Sequence, residues 1–217
     1  MTAAKKKTRA GDPAKRTAIL AAATRLFPAQ GFTDTSMDAI AAGAGVTKQT
    51  VYAHFNSKDE LFEEMIIALC DKHSEAAKAS PGNPKPIQEQ LFDAGLAFLN
   101  FVTSDECIAV TRLVISEVNR HPALAQKYYE DGTQRLLNTF AVFLKEQNKL
   151  RTLSIPDPES ASSYFLALLK GRYYLRMVLG VKPRPTAKDK EENVRDTVAI
   201  FMRLYGGRDP LHTHSRF

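Results

Sequence analysis

This 217-residue sequence lacks any apolar run approaching the roughly 18 residues that a membrane crossing needs. Its opening stretch, M-T-A-A-K-K-K-T-R-A-G-D, has no apolar segment of the kind a secretory signal requires. Cysteine is scarce. Cys70 and Cys107 show no framework spacing, so a disulfide-built fold is excluded, and both are expected as buried free thiols in a reducing cytoplasm. Also missing are a phosphate-cradling glycine loop, a G-x-S-x-G elbow and a credible pair of catalytic carboxylates. Cys70-x-x-His73 is one fragment of a zinc pattern with no second half, and His212 and His214 stand in a polar tail. No metal, cofactor or catalytic residue is expected. Finally, no stretch alternates with period two and no repeat recurs, which leaves an all-α chain.

What is present is a folded protein's composition, 44% apolar, with uneven charge. The net charge is +6; residues 1–60 hold nine Lys/Arg against five Asp/Glu, while the remainder is close to balanced. A basic excess in the first quarter suits a phosphate-facing surface. The Lys5-Lys6-Lys7 run reads either as a solvated terminus or as a flexible arm adding salt-sensitive DNA affinity.

Helix signals recur along the chain. Pro13 suits a first helical turn, Ile19, Ala23, Leu26 and Phe27 make an apolar stripe, and Pro28 is expected to bend or end that helix early. Ser57-Lys58-Asp59-Glu60 opens a long fourth helix that must stop before Pro81-Gly82-Asn83-Pro84, the best domain boundary. Five further helical stretches follow. They run from about Pro86 to Val102, from beyond Ser104, from Pro122 to about Leu150, from Asp157-Pro158, and from Thr186 to Gly206.

The most informative segment is G-V-T-K-Q-T-V-Y-A-H-F-N-S-K-D-E-L, residues 45–61. Gly45 permits a turn with positive φ, and Thr47 caps a short helix seated by Val46, Val51 and Phe55. Another short helix begins at Thr35-Ser36-Met37-Asp38. Two short helices across such a turn describe a helix-turn-helix, whose second helix enters the DNA major groove. The expected DNA contacts are Thr35, Thr47, Lys48, Gln49, Thr50, Tyr52, His54 and Lys58. Gln49 is the candidate for bidentate readout of adenine, and Lys48 for guanine or a phosphate. Thr50, Tyr52 and His54 are backbone-positioning groups; Tyr52 alternatively packs with Phe55 against the first helix. Lys58 and Thr35 stand at helix starts that favour phosphate.

The run from Ile19 to Leu61, through I-L-A-A-A-T-R-L-F-P-A-Q-G-F, T-S-M-D-A-I-A-A-G-A-G-V-T-K and T-V-Y-A-H-F-N-S-K-D-E-L, resembles the DNA-binding domain of the TetR family of bacterial transcriptional regulators. The region from Ala109 to Leu144 is similar to the C-terminal domain of AefR-like repressors. The resemblance implies about nine helices: a three-helix DNA-binding domain joined by a long helix to a helical bundle that senses a ligand and dimerises. The expected divisions are a flexible basic arm (1–12), the helix-turn-helix domain (13–58), a connecting helix (59–80), the sensing and dimerising domain (86–206) and a mobile tail (207–217).

It further implies a pocket for a small apolar or aromatic ligand among residues 98–118, 124–143 and 165–177. The expected lining is Phe98, Val102, Leu113, Phe140, Phe165 and Leu169, with Arg112, Glu117, Tyr128, Asn138 and Tyr173 orienting the ligand. Arg112 and Glu117 alternatively pair with each other. The homodimer is expected through the last two helices, using Leu168, Leu175, Val194, Val198 and Phe201. The functional expectation is a cytoplasmic regulator, a repressor released from operator DNA by its ligand. Alternatives are an activator, an enzyme built on a helical bundle, and a non-specific DNA-packaging protein, the last needing a larger basic excess.

Overall fold

The computed structural model describes residues 12–74 and 85–206. The expectations for the basic arm, the end of the connecting helix, the Pro81–Pro84 boundary and the C-terminal tail lie outside those residues. Among the described residues the fold is all-α: α1 (Pro13–Gln30), α2 (Met37–Ala44), α3 (Lys48–His54), α4 (Lys58–Ser74), α5 (Ile87–Val102), α6 (Asp105–Glu117), α7 (Pro122–Lys127), α8 (Arg135–Lys149), α9 (Pro158–Gly171), α10 (Tyr174–Val178) and α11 (Ala187–Tyr205). A π-helical segment, Tyr128–Gln134, joins α7 to α8. A single bridge between Leu153 and Gly206 is the only extended pairing among the described residues. None of these helices is long and apolar enough to cross a membrane.

Local chemistry starts the helices where free N–H groups find acceptors. Asp12, Ser36, Thr47, Ser104 and Asp157 each cap the following helix with a side-chain oxygen. At α11, Thr186 and Asp189 form a reciprocal capping box. At α4 the Ser57 hydroxyl accepts from the Glu60 N–H at 3.1 Å, while the Glu60 carboxylate reaches back one residue further, to the Asn56 N–H at 2.7 Å.

Pro28 neither ends α1 nor shortens it. The helix runs on to Gln30, because only the last turn loses a donor, and the Gly31 N–H closes it on the Phe27 carbonyl at 2.9 Å. The stretch from Pro122 to Lys149 is helical throughout but opens into the π segment at its middle. Gly132 sits there against α4, where a Cβ would lie 3.3 Å from Ile66 Cγ2. The stretch beginning at Pro158 divides into α9 and α10 after Gly171.

The N-terminal core packs Ile19, Ala23 and Phe27 of α1 on Ile40, Val51, Phe55 and Leu61, all essentially inaccessible to solvent. Phe27, Phe32 and Phe62 meet as a ring triad with centroids 5.3–6.0 Å apart, in the tilted and edge-on arrangements aromatic quadrupoles prefer. The C-terminal core joins Leu91 and Leu99 of α5, Phe165 and Leu169 of α9, and Val194, Val198 and Phe201 of α11. Gly95 lets α5 approach closely: a Cβ there would stand 3.0 Å from Val194 Cγ1. This corrects one expectation. Val194, Val198 and Phe201 fill the interior of one protomer, at 0%, 7% and 1% exposure, and none is on its surface.

Candidate DNA-binding surface and ligand cavity

Gly45 adopts the left-handed conformation (φ 66°, ψ 31°) that turns the chain between α2 and α3. Thr47 then accepts from the Thr50 N–H at 3.2 Å, and fully buried Val51 and Phe55 anchor the inner face of α3. Outward from that anchored helix stand Lys48, Gln49 and Tyr52, with Thr50 and His54 half-buried at its margins. Tyr52 is 46% exposed, so about half of it faces solvent. Lys48 pairs with Asp38 of α2 at 2.8 Å, which raises its pKa through that hydrogen bond and the neighbouring charge. Both partners are exposed, so the pair is weak enough to exchange for a phosphate.

Two expected DNA contacts are instead structural. Thr35 is fully buried, its hydroxyl donating to the Gly31 carbonyl at 2.7 Å, and Ser36 takes the cap of α2. Lys58 uses its ammonium on three carbonyls, those of Phe32, Thr33 and Thr35 at 2.7, 3.0 and 3.1 Å, and lies over the Phe32 ring. Those three bonds exhaust its donors and tie the α1–α2 loop to α4. Lys58→Met is therefore expected to lower stability to urea by about 1.5–3 kcal/mol, the range for hydrogen bonds to a charged group. A residue serving only as a phosphate contact would leave stability unchanged.

The two halves of the molecule meet along α1, α4, α6 and the π segment. The Thr33 hydroxyl and His121 Nε2 are 2.9 Å apart, and the Phe32 and His121 rings meet edge-on. Lys127 is ion-paired to Glu63, and Arg135 to Asp71 at 2.7 Å. Glu117, at 6% exposure, faces Gly31 across this seam, and its Oε2 has no hydrogen-bond partner among the described residues.

A cavity of about 210 Å³ lies between α4, α5, α6, the π segment, α8, α9 and α10, below the roughly 300–1,000 Å³ usual for ligand pockets. Its walls follow helical spacing: Ile66, Leu69 and Cys70 on α4, Phe98, Phe101 and Val102 on α5, and Ser163, Leu166, Ala167 and Lys170 on α9. Burial pushes the Cys70 thiol up to about 12 and the Cys107 thiol up to about 11, so both are neutral lining groups. Burial also raises the Tyr128 pKa and holds its hydroxyl protonated. That hydroxyl lies 2.8 Å from Thr111 Oγ1, which is 3.2 Å from the Tyr174 hydroxyl.

Of the expected ligand contacts, Phe98, Val102 and Tyr128 line this cavity. The others are redirected. Leu113, Phe140, Phe165 and Leu169 are core residues, with Phe165 stacked on Phe140 at 4.9 Å. Arg112 neither orients a ligand nor pairs with Glu117; its guanidinium donates to the Val178 and Met177 carbonyls, both at 2.8 Å, and closes the end of α10. Glu117 belongs to the domain seam. Asn138 is exposed on the outer side of α8 and accepts from Gln134, and the Tyr173 hydroxyl is directed at the Asp189 carbonyl. Lys170 and Tyr174 escaped sequence reasoning because a lysine and a tyrosine near a helix end read as solvated groups.

Outside the cavity, Tyr164 and Leu168 of α9, Leu175 of α10, and Ile200 and Leu204 of α11 present apolar side chains at 39–65% exposure. Leu168 and Leu175, expected at the dimer contact, are among these exposed side chains. No group of three His, Cys, Asp or Glu suited to a metal ion occurs among the described residues.

Comparison with known proteins agrees over nearly the whole chain. Residues 19–65 match the bacterial regulatory proteins of the tetR family, and residues 89–207 match the C-terminal domain of AefR-like transcriptional repressors. A flavonoid-responsive regulator, FrrA, is 34% identical, with a TM-score of 0.71 over 89% of this chain and 98% of its own. A TetR-family regulator from Pseudomonas syringae is 30% identical, with a TM-score of 0.66 over 89% and 98% of the two chains. An HTH-type transcriptional regulator of Bacillus subtilis, YhgD, is 25% identical over 86% of this chain and 92% of its own.

Proposed function

Because the chain belongs to the TetR family of bacterial transcriptional regulators, which bind operator DNA as dimers, we propose that it is a repressor released from its operator by a small apolar or aromatic ligand. The observation that carries this reading is the position of α4. Its first turn holds the α1–α2 loop through Lys58, and its last turns supply Ile66, Leu69 and Cys70 to the cavity wall. A ligand that fits better when α4 is displaced favours a conformation with wrongly spaced recognition helices; one with equal affinity for both conformations shifts nothing. In this reading residues 13–58 bind DNA, residues 59–80 connect, and residues 86–206 sense and dimerise. The similar regulator responds to flavonoids, which supports an aromatic ligand here. Turnover of a bound compound, in place of its reversible release, would support the enzyme alternative.

Thr47, Lys48, Gln49, Thr50, Tyr52 and His54 form the proposed DNA surface, and half-sites about 34–36 Å apart fit its dimer. Gln49→Ala is expected to relax base preference at one or two operator positions, costing about 1–3 kcal/mol there. Lys48→Ala is expected to weaken binding to all sequences alike and to reduce the salt slope by about one. Binding-site selection with wild type and both variants distinguishes the roles; unchanged preferences in Gln49→Ala remove that residue from base readout. Thermal-shift screening of apolar and aromatic metabolites, followed by operator-release assays on the hits, tests the ligand-released reading itself.

A further inference from the structure

Lys170 is the single charged residue among those lining the cavity. It stands in the last turn of α9, where a cation is favoured by the free carbonyls. That position does not require burial, since Arg172 two residues on meets it from solvent. Yet Lys170 turns inward, its ammonium 4.3 Å from the centre of the Tyr174 ring, and it forms no ion pair among the described residues. Burial lowers its pKa, opposed only by the neighbouring Cys107. A cation held in an apolar wall without a counter-ion is costly unless something compensates it. No Asp or Glu is among the residues lining the cavity, which leaves the place of a counter-ion open to an anionic ligand. The rest of the lining is apolar apart from the hydroxyls of Tyr128, Thr133, Ser163 and Tyr174 and the thiols of Cys70 and Cys107.

We propose that the cavity takes a weak organic acid, an aromatic body carrying one anionic oxygen that pairs with Lys170 while Phe98, Phe101 and Leu166 enclose the ring. This rests on the ligand-cavity reading above and specifies its chemistry. An apolar lining with one cation selects against neutral aromatics by the cost of leaving Lys170 unpaired, and against aromatic amines by repulsion. The volume limits the body to a small ring system.

The test is calorimetric titration of the full-length protein with benzoate, cinnamate and naphthoate, each beside its primary amide of the same shape and no charge. At least one carboxylate is expected to bind about tenfold or more tighter than its amide, the size of one hydrogen bond to a charged group. Lys170→Met removes that preference and keeps amide binding, while Lys170→Arg retains it; Lys170→Gln carries the same test if the Met variant melts early. Equal binding of acids and amides to the wild type overturns the acid assignment and leaves the cavity standing. A preference that survives in Lys170→Met overturns it too, because the anion is then held elsewhere. Binding of neither class removes the cavity reading along with the inference.

Discussion

Replacing Leu175 and Leu204 together by aspartate is expected to leave a folded monomer that binds operator DNA about 10²–10⁴-fold more weakly than the dimer, the avidity lost when two half-sites are no longer engaged by linked modules. Both side chains are largely exposed in the isolated chain, at 63% and 65%, so aspartate costs little in the protomer. Tyr164 and Leu168 of α9 and Ile200 of α11 are exposed apolar side chains as well, and with Leu175 of α10 and Leu204 of α11 they are the proposed dimer contacts. A twofold interface meets its own copy, so each substitution places like charges near one another across the axis and buries them. Aspartate at Val198 and Phe201 would act differently. Those residues pack inside the protomer, Phe201 edge-on against Phe165 at 5.0 Å, and charging them is expected to unfold the bundle. Sedimentation velocity and circular dichroism separate the outcomes. A folded Leu175→Asp/Leu204→Asp dimer would move the interface to another face.

The difference between those two pairs of residues shows which parts of the molecule were legible in its sequence. Capping signals were, because each is a local bargain between one oxygen and one N–H group. Thr47, Ser57, Asp157 and Thr186 all act within three residues of themselves. The helix-turn-helix was legible for the same reason, with Gly45 and Thr47 specifying the turn and cap of a motif that is compact in sequence. Faces of the later helices were not. α9 carries three of them at once: Ala161, Phe165 and Leu169 toward the core, Ser163, Leu166, Ala167 and Lys170 toward the cavity, and Tyr164 and Leu168 outward. Periodicity identifies such a helix but does not say which apolar stripe meets which neighbour, so Phe165 and Leu169 were expected at the ligand and Val198 at the partner. Lys58 failed differently. A lysine at a helix start suits an anion, but three carbonyls from the preceding loop reach it first.

Filling the cavity is expected to abolish induction while sparing operator binding. Ala167 and Leu137 both line it, from α9 and α8, and neither belongs to the DNA surface or the exposed apolar face. Ala167→Trp places a large ring at an exposed position on the rim, where the helix accommodates it with little strain; Leu137→Trp reaches further in, at an overpacking cost of about 1–3 kcal/mol. At least one variant should bind operator within about threefold of wild type, well inside the ~1.4 kcal/mol that a tenfold change represents. It should also remain bound at inducer concentrations that release the wild type completely. Calorimetry on the DNA-free variant then divides two causes. Lost ligand affinity means that the indole occupies the site; retained affinity means that the wedge holds α4, through Ile66 and Leu69, in its DNA-binding position. Either result makes the cavity the site from which release is driven, and the second assigns the coupling to α4. Normal release by both variants would break that coupling, and competition of ligand with DNA at Gln49 and its neighbours would leave the C-terminal bundle as a dimerisation device alone.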